Sequence, residues 1–428
     1  MGCYIYVVRG ENKMKVAIVA WGTTGDVYPI LALAERLLKR QHQVRVCAPT
    51  IYKDKIIEIG ADYYEIGVAF DLDEFHKTLD TAIAMRDPMA PLQMIAKEGI
   101  IRRGERWYKD CLDGFSGYDI VICHSIDIPA QEAAIRKDLP WLTVTYCPGF
   151  IKTPDNAPYP FPNWSKTFNA FIWKLVRLRL RYAVDPLFNQ FITSVGGKPR
   201  STVALDEMYS PHLNFIAASP AICPPLSLSS NHKYTGVWHL DEQEYNPPSD
   251  LTDFITDGFP PIVITFGSMG GSNHTETTRI LIDAIGITGH RAIIQAGWGL
   301  LGASDVDGNI FCTDYVPHRW LFPKAACVVH HGGAGTTASV CLAKVPSVVV
   351  PHIADQFYWG RRLYELGVAA KSLPRRKLNA KDLAKRIEQV INTPSIKEKA
   401  ETLGTQMEAE NGLTTAVHLI ESFPTKQQ

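Results

Sequence analysis

The sequence predicts an α/β chain of two Rossmann-like parallel-sheet domains that face a central cleft. Three observations carry this expectation. Short, continuously apolar runs such as Val16-Ala17-Ile18-Val19-Ala20 and Ile262-Val263-Ile264 alternate with stretches of helical periodicity, the pattern of strands covered on both faces. The alternation occurs twice along the chain. Between the two series lies Asp241-Glu242-Gln243-Glu244-Tyr245-Asn246-Pro247-Pro248, polar and proline-bearing, as a connection between domains is. The 428 residues also exceed the roughly 250–300 at which a single core stops growing.

In the first series the strand 16–20 runs into Gly22-Thr23-Thr24-Gly25-Asp26. A helix over 29–40 follows, with Ile30, Leu33, Ala34, Leu37 and Leu38 at helical spacing, and then a strand over 44–48. Residues 70–109 are irregularly helical. Strands are expected at 120–123 and 141–145, with a helix over 129–137 between them. From 150 the pattern changes: Pro154, Pro158, Pro160 and Pro162 break regular structure, and 164–191 is long helical material rich in Phe, Trp, Leu and Arg. Its aromatics can line an apolar cleft or pack on the sheet, and burial is the usual fate of large apolar side chains.

The second series places strands at 261–266, 292–295, 310–312, 327–330 and 347–350, and a helix over 276–285. The expected division is an N-terminal domain of 1–235 with an extension at 1–13, a linker at 236–258, a C-terminal domain of 259–394, and a helix in 395–428 whose apolar spacing at Ala416, Leu419 and Ile420 permits, without showing, a crossing back to the first domain. In open α/β sheets ligands bind beyond the carboxyl ends of strands. Gly22 to Asp26, Gly267 to Gly271 and His331 to Thr337 all stand at such ends.

Composition narrows the function. The chain is 46% hydrophobic and 21% charged, with 44 Lys+Arg against 44 Asp+Glu, so no bulk charge recruits nucleic acid. The nine cysteines are scattered through apolar surroundings, without the spacing of a zinc site or a disulfide framework. Reduced thiols, no metal and a cytoplasmic location are therefore expected. No run of eighteen apolar residues and no signal-peptide pattern occurs, which leaves peripheral membrane contact open. Met1-Gly2-Cys3 lacks the hydroxyl residue at position 6 that a myristoylation signal prefers.

The most informative stretch is Cys327-Val328-Val329-His330-His331-Gly332-Gly333-Ala334-Gly335-Thr336-Thr337, a buried strand, a glycine turn and a helix start. Backbone N–H groups and the helix dipole make such a turn an anion site, although a ligand-free crossover has the same composition. It lacks the Gly-Lys-Ser/Thr of a triphosphate loop. The first turn is spaced Gly-x-x-Gly, and Pro49-Thr50 stand where a ribose-binding acid belongs, so a nicotinamide enzyme is not expected. Ser268, a hydroxyl on a second small loop, is a further candidate or a plain turn residue. Asp26 is either a functional carboxylate or a helix cap. Asp355 and Gln356 are placed to hydrogen-bond sugar hydroxyls, or form a solvated cap.

Taken in order, Gly22-Thr23-Thr24-Gly25-Asp26-Val27-Tyr28-Pro29, Thr235-Gly236-Val237-Trp238, Phe266-Gly267-Ser268-Met269 and the run from Val316-Pro317-His318 through the glycine turn to Asp355-Gln356-Phe357-Tyr358-Trp359-Gly360 resemble the family-1 glycosyltransferases of the GT-B fold. The likeness is to the branch holding bacterial natural-product and sterol glucosyltransferases. It implies a hexosyltransferase that moves a hexose from a nucleotide diphosphate sugar to an acceptor hydroxyl, with inversion and without metal or cofactor. A UDP-sugar is the first expectation for the donor and a dTDP-deoxysugar the second.

By the same resemblance Val316 and His318 meet the base, while Ser268, His331, Gly333, Gly335 and Thr336 hold the diphosphate. Asp355 and Gln356 hold the sugar, and Asp26 replaces the histidine base of other members. Phe161, Trp164 and Phe168 are the acceptor-side candidates for a polyphenol, sterol, polyketide or lipid-like molecule. His124 and Asp127 are expected to be structural. Three rivals stand beside this reading: a manganese enzyme using Asp71-Leu72-Asp73 or Asp305-Val306-Asp307, a sugar-nucleotide epimerase, and a non-catalytic sugar-nucleotide sensor.

Overall fold

A computed structural model of the chain describes residues 13–67, 72–85, 87, 90–223, 226–240, 245–267, 274–295 and 308–424. Seven strands form the first sheet: β1 (Lys15–Val19), β2 (Gln43–Ala48), β3 (Asp62–Glu65), β4 (Ile120–His124), β5 (Trp141–Thr145), β6 (Asn214–Ile216) and β7 (His232–Tyr234). Their order is β3-β2-β1-β4-β5-β6-β7, and every pairing is parallel. The second sheet contains β8 (Ile262–Thr265), β9 (Ala292–Gln295), β10 (Ile310–Thr313), β11 (Cys327–His330) and β12 (Ser347–Val349), ordered β10-β9-β8-β11-β12 and again parallel. In each sheet the order reverses beside the first strand, between β1 and β4 and between β8 and β11. Loops leaving those strands diverge and open the crevice in which α/β proteins hold ligands.

The strands are apolar along their whole length because helices cover both faces. On one side of the first sheet Ile18, Val46 and Ile122 pack with Leu31, Leu33 and Leu37, and on the other Val19 and Val121 pack with Phe115, Phe188 and Phe191. The helix Thr24–Lys39 starts five residues before the position expected from Pro29. Thr23 supplies its N-cap with Asp26 three residues on, and a proline in the second turn loses only one intrahelical donor. The expected long helix after 164 is two, Lys166–Ala183 and Asp185–Ser194, divided where Pro186 enters the first turn of the second.

The chain ends in helices Pro394–Glu408 and Gly412–Glu421. The second lies on the first sheet's core through Ala416, Val417 and Ile420. Arg40 Nε and Nη2 there donate to Glu421 Oε1 and Oε2 at 3.0 and 3.2 Å. The two halves also share an apolar core in which Cys147, Ile151 and Ile222 meet Tyr358, Trp359 and Leu363. Complete burial of one side chain such as Leu363 contributes about 1.5–3 kcal/mol, so this core holds the two sheets in register across the cleft. The eight cysteines among the described residues are unpaired, and all but Cys312 are buried.

Candidate active site

Asp26 stands in the first turn of the helix that leaves β1. Its Oδ2 accepts from the Thr23 backbone N–H at 2.9 Å and from Thr23 Oγ1 at 3.0 Å. Oδ1 accepts no hydrogen bond from a described residue. The carboxylate therefore caps its own helix through Oδ2 and leaves Oδ1 without a donor among the described residues. Burial raises its pKa above the usual carboxylate range, against the two Thr23 hydrogen bonds, which pull it back. The turn is fixed from outside by Tyr146, whose hydroxyl donates to the Asp26 carbonyl at 2.7 Å, and by Tyr52, whose hydroxyl donates to the Gly22 carbonyl at 2.8 Å.

Gly22 has φ +104, and a β-carbon there would lie 2.5 Å from Asp26 Oδ2. Gly22→Ala is expected to cost about 1–3 kcal/mol in backbone strain alone, seen as a lower melting temperature. A melting temperature equal to the parent's would contradict this role.

Across the cleft β11 delivers the glycine turn. Gly332 has φ +88, and a β-carbon on it would meet Val349 Cγ1 at 2.7 Å. Gly333 keeps its α-carbon against the His331 ring, since a β-carbon would lie 2.4 Å from Nε2. Gly333 is the N-cap of helix Ala334–Leu342 and offers no side chain to cap it. The N–H groups of Ala334, Gly335 and Thr336 have no acceptor among the described residues, whereas Thr337 N–H is bound to the Gly333 carbonyl at 2.8 Å. Three free donors and a helix dipole thus converge where an anion would sit. Around Gly335 nothing lies within 4 Å of a β-carbon position, so this point faces open space.

His331 is buried, its Nδ1 has no partner among the described residues, and desolvation pushes its pKa down to about 4. At neutral pH it is an uncharged imidazole. Gly267, at the end of β8, brings its loop to within 3.4 Å of the His331 ring, measured from a β-carbon position. Ser268, the next residue, lies outside the described residues, as do Asp71, Asp305 and Asp307.

The third wall is the loop after β12. Asp355 is the N-cap of helix Gln356–Leu366, and its Oδ2 accepts from Trp359 Nε1 at 3.1 Å. Burial first, and then the charge on Asp26, push the Asp355 carboxyl up to about 7. Gln356 Oε1 accepts from the backbone N–H groups of His352 at 2.7 Å and Ile353 at 3.1 Å, which fixes the loop that carries Asp355. Val316 is buried, with its carbonyl accepting from Gln295 Nε2 at 3.0 Å. His318 stacks on Phe322 at 4.3 Å.

A crevice lined by Gly25, Tyr146, Ser219, Gly335, Thr337 and Trp359 joins the Asp26 helix to the glycine turn. Phe161, Trp164 and Phe168 are not part of its lining. Phe161 is exposed, and its carbonyl accepts from Arg361 Nη1 at 3.0 Å. Trp164 is 74% exposed and sits 4.6 Å from the Phe168 ring. His124 lines β4's end with its ring 5.6 Å from that of Tyr146 and its pKa pushed down to about 4 by burial. Asp127 Oδ1 caps helix Ile128–Arg136 through Ala130 N–H at 3.1 Å.

The sequence pointed to neither Tyr146 nor Tyr52, and Trp359 stood in its motif run without a role. Trp359 had a signal, since it stands four residues after Asp355 on a helix, where side chains meet. Tyr146 had only its place beyond a strand end.

Comparison with known proteins adds a second line. Residues 16–103 match the glycosyltransferase family 28 N-terminal domain, and residues 279–422 the erythromycin biosynthesis protein CIII-like, C-terminal domain. The chain is 27% identical to a sterol 3-beta-glucosyltransferase of Arabidopsis thaliana, covering 96% of this chain and 68% of that protein. It is 28% identical to the O-mycaminosyltylonolide 6-deoxyallosyltransferase of Streptomyces fradiae, covering 96% and 97%. A sterol 3-beta-glucosyltransferase of Komagataella phaffii is 28% identical, and there the chain spans only 35% of the relative's length. Among solved structures, the calicheamicin glycosyltransferase CalG4 superposes with a TM-score of 0.71 at 19% identity over 96% of this chain and 98% of that one. The glycosyltransferase VinC in complex with dTDP superposes with a TM-score of 0.68 at 18% identity over 95% and 98%.

Proposed function

We propose that the chain is a GT-B glycosyltransferase of the branch of natural-product and sterol glycosyltransferases, a reading its similarities support, and that it moves a hexose from a nucleotide diphosphate sugar to a hydroxyl of a hydrophobic small molecule. The observation that carries the reading is a crevice that joins the start of the Asp26 helix, at Gly25, to a second helix start at Gly335 with three N–H groups unclaimed among the described residues. A UDP-sugar is the first choice of donor and a dTDP-deoxysugar the second. The nucleotide sits on 259–394, near Val316 and His318, and the acceptor on 1–235. The stretch 236–258 links them, and 395–428 ties the second domain back to the first.

In this mechanism the Ala334, Gly335 and Thr336 N–H groups hold the diphosphate, with His331 and Ser268 beside them. Asp355 and Gln356 orient the sugar. Asp26 takes the proton from the acceptor hydroxyl as its oxygen attacks the anomeric carbon. The bond from that carbon to the phosphate oxygen breaks, and the nucleoside diphosphate leaves with the electron pair. Aligned donors at a water-poor site are worth most where charge develops, here on the departing phosphate. The neutral His331 contributes by donating a hydrogen bond. No metal is assigned to the step.

The test is a matrix of UDP- and dTDP-sugars against sterols, phenols and macrolide alcohols, with and without EDTA, read by mass spectrometry. The expected result is an acceptor that gains one sugar mass at the same rate in chelator. Donor consumed without acceptor would mean an epimerase, and donor bound without turnover a sensor; loss of transfer in EDTA would overturn the metal-free mechanism.

A further inference from the structure

The helix Lys166–Ala183 has two apolar faces, and the fold uses one. Ile172, Trp173, Val176 and Leu180 point inward and are buried. Phe171, Leu175, Leu178 and Tyr182 recur at i, i+4, i+7 and i+11, the spacing of a single helix stripe, on the opposite side. They are 56, 46, 53 and 74% exposed. The stripe extends past the helix start to Trp164, also 74% exposed. A surface helix ordinarily carries polar residues on its outer face, so a continuous exposed stripe of this kind marks an interaction site.

The charges around the stripe say what it meets. The helix contains Lys166, Lys174, Arg177, Arg179 and Arg181 and no acid, in a chain whose 44 basic and 44 acidic residues balance. Lys166 and Arg179 pair with Asp155 and Asp87. Lys174 and Arg177 form no ion pair with a described residue. Large apolar and aromatic side chains bordered by Lys and Arg fit the boundary between acyl chains and anionic headgroups. No helix among the described residues is long and apolar enough to cross a membrane, so this contact lies along the surface.

We infer that the outer face of helix Lys166–Ala183 docks the protein on an anionic lipid bilayer. The surface continues toward the exposed Phe161 and Trp164, which precede the helix in sequence. Docking does not depend on the proposed transfer reaction, and binding is read without activity.

The test is flotation of the full chain with phosphatidylcholine vesicles, with and without phosphatidylserine. The parent is expected to float with the anionic vesicles and to be released by salt. The variant F171S/L178S/Y182S is expected to bind roughly tenfold or more weakly. The variant K174E/R177E/R181E is expected to lose on the order of a hundredfold, at about fivefold per basic residue near an anionic surface. All six positions are exposed, and near-ultraviolet circular dichroism checks that each variant is folded. Absence of parent binding to anionic vesicles overturns the inference irrespective of the variants, as does undiminished binding by both variants. A concentration-dependent dimer that F171S/L178S/Y182S abolishes, without vesicle binding, would overturn it in favour of a second copy of this chain.

Discussion

Asp26→Asn is expected to transfer sugar about 10²–10⁴-fold more slowly than the parent, the usual contribution of a positioned general base, while binding donor as the parent does. Asparagine keeps an oxygen that can accept from Thr23, so the helix cap and the turn survive the change. The pH dependence follows from the raised pKa of Asp26. The base works only when ionised, so the parent's rate falls as pH drops through that raised value and levels off above it. In the variant this acid limb is absent. Asp355 gives a second readout, because the Asp26 charge helps hold its carboxyl up at about 7. Removing that charge lowers the Asp355 titration, a shift that carboxyl NMR measures directly.

Gly335→Asp separates binding from stability by giving them opposite signs. The position is open, with nothing within 4 Å of a β-carbon, and an acid in the first turn of a helix stabilises it by about 0.3–1 kcal/mol. The variant is expected to melt no lower than the parent. Its new carboxylate, however, stands where the donor's phosphates would sit. Two unit charges about 4 Å apart repel by about 4 kcal/mol at an effective dielectric near 20, so donor affinity is expected to fall roughly a hundredfold or more. Calorimetric titration with the nucleoside diphosphate checks this. Unchanged affinity would remove the phosphate from the start of helix Ala334–Leu342.

The features legible in the sequence were those written locally. Strands such as β1, β8 and β11 are apolar without interruption because both their faces are covered, and the glycine turn announces an uncapped helix start by composition. The short strands β3, β6 and β7 were not legible. β3 is Asp-Tyr-Tyr-Glu, and the other two have three residues each, so they exist only because a neighbouring strand pairs with them. The true start of the first helix was hidden by Pro29, which resembles a boundary and is tolerated inside one. Contacts between distant segments left no local trace. Tyr146 reaches the Asp26 carbonyl across 120 positions of sequence, and the shared core of Ile151, Tyr358 and Leu363 looks in each segment like ordinary apolar periodicity. Ser268 is legible only as a motif position, since its placement falls outside the described residues.

In the proposed mechanism the base stands on one domain and the leaving-group site on the other, and this sets the direction of attack: the acceptor oxygen, held by Asp26, would approach the anomeric carbon from the side opposite the diphosphate at the glycine turn. The product's anomeric configuration therefore reports on the split site more directly than any rate. With an α-linked nucleotide hexose as donor, proton NMR of the isolated glycoside is expected to show the large coupling between the first two ring protons that marks a β-linked glucoside. An α-linked product, formed by the parent and lost in Asp26→Asn, would contradict attack from the Asp26 side and with it the division of the site between the two domains.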